Sequence, residues 1–74
     1  MKPKLPTPEE LVQGKSAPEA VRILERQIER WDLKAAAIAG DDHPDQVQVK
    51  LVRETLEALR AELSIQQARL VEMN

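Results

Sequence analysis

Cysteine is absent from this sequence of 74 residues, and Trp31 is its one aromatic residue. Without cysteine, the chain can form neither a disulfide bond nor a thiolate metal site. Without phenylalanine or tyrosine, a β-sandwich or barrel would lack the side chains that usually fill its pleated faces. Glycine occurs twice, apolar residues make up 42% and charged residues 32%. This balance suits a small helical protein rather than a disordered chain.

Long apolar runs and an excess of one charge are also missing. The longest unbroken apolar stretch is residues 35–39, far below the roughly 20 residues that a membrane-spanning helix needs. Residues 1–6 lack the apolar stretch of a secretory signal, so we expect no membrane partner and a cytoplasmic location. Lysine and arginine number 11 and aspartate and glutamate 13, for a net charge of −2, which does not favour binding to nucleic acid phosphates.

Residues 1–15 are predicted to form a proline-bearing arm that includes a short helix. Pro3, Pro6 and Pro8 favour an extended chain, because proline fixes φ and restrains the residue before it. Thr7 followed by Pro8 is typical of a helix start, and Gly14 is expected to end the short helix.

Leu11 and Val12 are the apolar side chains of this short helix, which is too short to be stable alone. We therefore expect the pair to act as a docking arm. It would pack on the protein itself, over the end of the second long helix at Leu70 and Met73, or bind a partner protein. Packing is favoured because Leu70 and Met73 have no other neighbour in a two-helix hairpin.

A first long helix is predicted from residue 17 to residue 39. Ser16 and Glu19 form a capping box, in which each side chain satisfies a free backbone amide of the other. Apolar side chains then alternate at intervals of three and four residues, the coiled-coil-like heptad pattern of a helix that packs along one seam. This first seam consists of Val21, Leu24, Ile28, Trp31, Ala35 and Ile38. Gly40 is expected to end the helix in a left-handed conformation.

A second long helix is predicted from about residue 43 to residue 73, with Asp42 as its N-cap. Its apolar side chains keep the same intervals, with Gln66 as the one polar break. This second seam consists of Val49, Val52, Leu56, Leu59, Leu63, Gln66, Leu70 and Met73. Because the connection is short, the two helices should be antiparallel neighbours. The sequence thus predicts an all-α protein with an antiparallel helical hairpin over residues 16–74.

The second long helix carries further apolar residues on the side opposite its seam. This outer stripe consists of Val47, Leu51, Ala58, Ala61, Ile65 and Ala68. The alanines alone fit a solvated face, since alanine is the best helix former, but three large aliphatic side chains favour burial. Small proteins without disulfides or metals commonly oligomerise to complete their core. We therefore predict that the outer stripe is a partner or oligomer interface, most simply in a homodimeric four-helix bundle.

No catalytic, cofactor-binding or metal-binding residue emerges from the sequence. Carboxylates stand beside basic residues at helical spacing, as in Lys50 with Glu54, which is ordinary for a solvated helix face. The turn groups four possible metal ligands, but their spacing matches no calcium loop and capping accounts for the aspartates. These residues are Asp41, Asp42, His43 and Asp45. We expect a protein that is not an enzyme and that holds no cofactor and no metal.

Two features leave alternatives open. Trp31 lies in the middle of the first seam, where it is either a large core residue or a hot spot for a partner. A row of basic residues at intervals of four follows the first long helix: Arg22, Arg26, Arg30 and Lys34. Acidic residues alternate with this basic row, which favours a solvated face, whereas a nucleic-acid-associated helical bundle would place the row on phosphates.

Short segments around the turn carry a resemblance to a known family. They are Gly40-Asp41 at the turn, residues 46–49 at the opening of the second long helix, and Arg53-Glu54 with Leu56-Glu57 after it. With this layout the chain resembles, over about residues 20–66, the small helical-hairpin co-chaperones of type III secretion needle subunits. The resemblance implies a cytoplasmic hairpin that pairs with a second chaperone to hold an aggregation-prone protein.

The function predicted from the sequence is that of a non-enzymatic α-helical protein that binds a partner protein through its helix faces. Chaperone, adaptor and small inhibitor all fit this description, and self-association is expected. The alternative is a nucleic-acid-associated regulator that uses the basic row, although the charge balance does not favour a nucleic-acid partner.

Overall fold

A computed structural model describes residues 7–73, and this part of the chain folds into three α-helices. They are α1 at Pro8–Val12, α2 at Ala17–Ala39 and α3 at Gln46–Met73. The two long helices pack against each other along their length, and α1 contacts both. The predicted all-α hairpin with a short preceding helix is therefore confirmed. The extended chain predicted around Pro3 and Pro6 lies outside the described residues.

Local capping explains where α1 and α2 begin. The Thr7 hydroxyl accepts a hydrogen bond from the Glu10 amide at 3.2 Å, and the Ser16 hydroxyl accepts one from the Glu19 amide at 3.5 Å. Both cap residues have extended backbone angles, and a proline lies in the first turn of each helix. Between the helices, Gly14 has a φ of 75°, a left-handed conformation that suits glycine.

The turn between the long helices differs from the prediction in two respects. Gly40 is right-handed, with a φ of −84°, because α2 continues to its end and then tightens. The Gly40 amide donates an ordinary helical bond to the Ala36 carbonyl, and the Asp41 amide donates a bond of the tighter 3₁₀ type to the Ile38 carbonyl, each at 3.1 Å. No left-handed residue is needed to satisfy these carbonyls.

α3 begins at Gln46 rather than at residue 43, and its cap is Asp45 rather than Asp42. The Asp45 carboxylate accepts a hydrogen bond from the Val47 amide at 2.9 Å, and the Asp45 carbonyl accepts the first helical bond from Val49. Pro44 explains the shift, since a proline disfavours the helical conformation at the residue before it.

The core is small and lies where α1 covers the hairpin. The buried apolar side chains of the described residues are Val12, Ala17, Ala20, Leu24, Val52, Leu56 and Leu59. Gln66 is also buried, and its amide donates a hydrogen bond to the Glu62 carboxylate at 3.1 Å, which satisfies the polar break in the second seam. Two packed helices cover each other on one side only, so both long helices keep wide exposed flanks.

The docking arm packs along the middle of the hairpin. Val12 belongs to the core cluster with Ala20, Leu24 and Leu59, and Leu11 packs against the same cluster. The left-handed turn at Gly14 reverses the chain, so that α1 runs back along α2. The predicted position over Leu70 is therefore corrected, and the contacts predicted for Met73 fall outside the described side chains.

Candidate protein-interaction surface

The outer stripe is exposed along the whole of α3. Its three large side chains remain open to solvent, with Val47 exposed by 76%, Leu51 by 45% and Ile65 by 54%. Ala58, Ala61 and Ala68 are exposed as well. Apart from Glu54, the stripe presents small and aliphatic residues at spacings of three, four and seven, which share one helix face. The structure thus brings the predicted interface residues together on one surface.

The charged break in the outer stripe is modest. Glu54 lies 4.0 Å from the Lys50 ammonium group, and both side chains remain well exposed. Such an exposed pair contributes little to stability. It does draw the Glu54 carboxylate to one side, towards Lys50.

Two large aliphatic residues outside the outer stripe are also exposed. Val71 is exposed by 75%, one turn beyond Ala68 on α3, and its spacing of three from Ala68 would have allowed the sequence to include it in the stripe. Leu33, exposed by 69%, belongs to a weaker apolar stripe that the sequence indicates on α2. It lies apart from the outer stripe, and single exposed aliphatic residues are ordinary on protein surfaces.

Trp31 is half-buried. Its ring packs against the core cluster on one side, and the Lys34 ammonium group lies 4.8 Å from the ring centroid. The indole also lines a shallow groove with Pro8, Leu11 and Leu51, between α1 and the outer stripe. Trp31 is therefore a core residue with one accessible side, which is compatible with both sequence interpretations.

A second apolar surface lies beside the turn, where α1 does not reach. Ala35 and Ile38 of α2 face Val49, Val52 and Leu56 of α3 across an open groove of about 440 Å³. Ile38 and Val49 are only half-buried there, although both belong to the predicted seams. We call this surface the turn groove. The sequence did not indicate it, because the seam pattern looks the same at both ends of the hairpin.

The basic row follows an exposed face of α2. Arg22, Arg26, Arg30 and Lys34 are all exposed. Lys34 is drawn to the Trp31 ring, and Glu25 and Glu29 stand beside Arg22 and Arg26 around one surface depression. The row is thus interrupted by carboxylates and does not form a continuous positive surface.

Hydrogen bonds to backbone amides account for two of the aspartates at the turn. The Asp41 carboxylate accepts a hydrogen bond from the His43 amide at 3.1 Å, and Asp45 caps α3. Across the described part of the chain, no three His, Cys, Asp or Glu side chains are grouped so as to hold a metal ion. Over the same residues, no helix has both the length and the apolar character required to cross a membrane.

The sequence matches no family model, no curated protein and no solved structure. The resemblance to needle-subunit co-chaperones therefore stays a prediction. The surfaces available for binding are an exposed apolar stripe on α3, an open groove at the turn and a half-buried tryptophan.

Proposed function

We propose that this protein is a non-enzymatic helical interaction protein, a chaperone, adaptor or small inhibitor that self-associates and binds a partner protein through its helix faces. One observation carries the proposal: the outer stripe leaves Val47, Leu51 and Ile65 exposed on a single face of a helix whose opposite face forms the core. Exposed aliphatic patches with polar surroundings mark protein-binding surfaces.

The small core supports self-association. Full burial of one Val, Leu or Ile side chain stabilises by about 1.5–3 kcal/mol, so covering the exposed parts of Val47, Leu51 and Ile65 in two copies would contribute roughly 5–10 kcal/mol. This range is comparable with the roughly 8 kcal/mol of a micromolar complex. Contacts of the alanines and of the flanking side chains would then offset the entropy lost on association. The homodimer of two hairpins, with four long helices, belongs to this proposal.

The partner protein would occupy a surface that self-association leaves open. The turn groove is suited to this, because it is open and mostly apolar, as a helix-binding groove is, and no residue of the outer stripe lines it. The predicted cytoplasmic location and the kinship with needle-subunit co-chaperones belong to the same proposal, supported by the hairpin layout and the segments around the turn.

Sedimentation tests the self-association. We expect the full chain to be a dimer or larger at micromolar concentration, and Leu51→Glu with Ile65→Glu to shift it to monomer, since two buried carboxylates in the interface would be very costly. Arg53→Glu with Gln67→Glu is the matched control, with the same spacing and the same new residue on another exposed face of α3. A well-folded monomer of the unaltered chain, or equal effects of the two double variants, would contradict the proposal.

Salt dependence separates this function from the nucleic-acid alternative. An apolar interface should change little between low and moderate salt, whereas binding of the basic row to phosphates should weaken steeply. Titration of a short labelled RNA or DNA duplex, with Arg26→Glu and Arg30→Glu as the variant, provides the comparison. Tight, salt-sensitive binding that this variant abolishes would favour the alternative.

A further inference from the structure

The order of large and small side chains along the outer stripe indicates which molecule can cover it. Its large side chains stand near the ends, with Val47 and Leu51 at one end and Ile65 towards the other. Ala58 and Ala61 occupy the middle, and Ala68 closes the stripe. From Val47 to Ala68 the stripe is about 32 Å long, at 1.5 Å per residue. A ligand that covers it must be a long helix that offers small residues opposite large ones.

We propose that this ligand is a second copy of α3, packed antiparallel and back to back, with Leu51 against Ala68 of the second copy and Ala58 against Ala61. The inference rests on the self-association in the proposed function and gives it a face, a direction and a register. The twofold axis passes between Ala58 and Ala61, where alanine lets the helices approach closely. Each contact then occurs twice, as an isologous interface requires.

Shape supports this register. The large Leu51 meets the small Ala68 at both ends, and alanine meets alanine in the middle, so the layers alternate in volume as closely packed helices do.

Two glutamates also lie in this register. Glu54 faces Ile65 of the second copy, and Glu72 faces Val47. The methylene groups of Glu54 can cover Ile65, while its carboxylate stays on the side of Lys50, from which it lies 4.0 Å. Glu72 is exposed near the end of α3, so its carboxylate can reach water while its methylene groups cover Val47.

Charge supports the antiparallel direction. In a parallel pair, side chains that flank the contact meet at an offset of five residues, which would place Glu57 against Glu62 of the second copy. In the antiparallel register, Glu57 comes near Ser64 and Glu62 comes near Thr55. Like charges directly across an interface are thereby avoided.

The length of α3 suits it to cover the outer stripe. With 28 residues it spans about 42 Å, which exceeds the length of the stripe. A second α3 can therefore cover all of it.

The proposed dimer has a consequence for the partner protein. The two α3 helices lie at the centre and each α2 lies outside them, because the outer stripe is opposite the seam that holds α2. The turn groove of each copy then stays open to solvent. A groove-to-groove bundle would instead close the turn groove and leave the outer stripe exposed.

Cysteine cross-linking tests the register, since the full chain has no cysteine of its own. Leu51→Cys and Ala68→Cys variants are prepared reduced, mixed, and oxidised mildly, and the covalent dimer is measured on a non-reducing gel. We expect about half of the chains to cross-link in the mixture and almost none in either variant alone. Two copies of Leu51, or of Ala68, lie about 25 Å apart along the axis in this register, too far for a disulfide.

A second pair of cysteine variants, a folding check and a negative control support the measurement. Ala58→Cys mixed with Ala61→Cys should also cross-link, and circular dichroism checks that each variant folds. Ala36→Cys, exposed on α2, should give no product with Ala68→Cys. Cross-linking of Leu51→Cys with itself and of Ala68→Cys with itself would show a parallel pair and overturn the proposal. If the proteins are dimeric but neither mixture gives a product, the antiparallel register is wrong while self-association stands. If the unaltered chain is monomeric, the register and the self-association are both wrong.

Discussion

The middle of the hairpin and its turn carry the same seam pattern but are packed differently. Under α1, the seam residues Leu24 and Leu59 are exposed by 0% and 2%. At the turn, Val52 is buried, but the seam residues Ile38 and Val49 are only half-buried. The position of α1 contributes to this difference, because two helices cover each other on one side and leave a groove on each flank. A third helix closes one groove over part of its length, and the rest stays available for binding.

The largest expected loss of stability follows truncation of a leucine under α1, compared with an isoleucine at the turn. Leu59→Ala should destabilise the fold by about 3–5 kcal/mol, because it leaves a cavity among Val12, Ala20 and Leu24. Ile38→Ala should cost about 1–2 kcal/mol, since its side chain is partly in water already. Urea unfolding at one fixed protein concentration measures both. Equal losses would mean that the region under α1 is no better packed than the turn.

Shortening Val12 or deleting the docking arm tests whether the arm stabilises the hairpin. Val12→Ala should lower stability by about 1–2 kcal/mol, and deletion of residues 2–13 should lower the melting temperature further by exposing Ala20 and Leu24. Leu11→Ala, at a half-buried site, is the milder control. If the deletion leaves melting unchanged and amides of residues 8–12 exchange rapidly, the arm is a partner-binding segment instead.

The two glycines should respond differently to alanine. Gly14→Ala should cost about 1–2 kcal/mol, because a left-handed φ of 75° strains any residue with a Cβ atom. Gly40→Ala should leave stability unchanged or raise it by up to about 1 kcal/mol, since Gly40 is right-handed and an added Cβ would lie 3.7 Å from the Ala36 carbonyl. Thermal unfolding of the two variants side by side measures this difference. A loss at Gly40 as large as that at Gly14 would contradict it.

The smallest effect is expected on the solvated face of α2. Arg26→Ala should change stability by no more than about 0.5 kcal/mol, because the side chain is exposed and far from the core. Its measurement in the same urea series sets the baseline for the core variants. A loss comparable to that of Leu59→Ala would show that the seam has been assigned to the wrong side of α2.

Features that depend on neighbouring residues were predictable from the sequence. The caps at Thr7 and Ser16 and the limits of α2 follow from local hydrogen bonds and from the backbone restrictions of proline. The direction of the seam follows from helical periodicity, and the same periodicity placed the outer stripe on the opposite face. The start of α3 at Gln46 is also determined locally, because Pro44 disfavours a helix before it and Asp45 caps the helix after it.

Tertiary packing decided the rest. Periodicity identifies a face but not the depth at which each residue is buried, and Leu24 lies deeper than Ile38 because α1 packs over it. The position of α1 depends on the left-handed turn at Gly14 and on the small side chain of Ala20, which admits Val12 into the core. The turn groove stays open because α1 is too short to reach the turn as well.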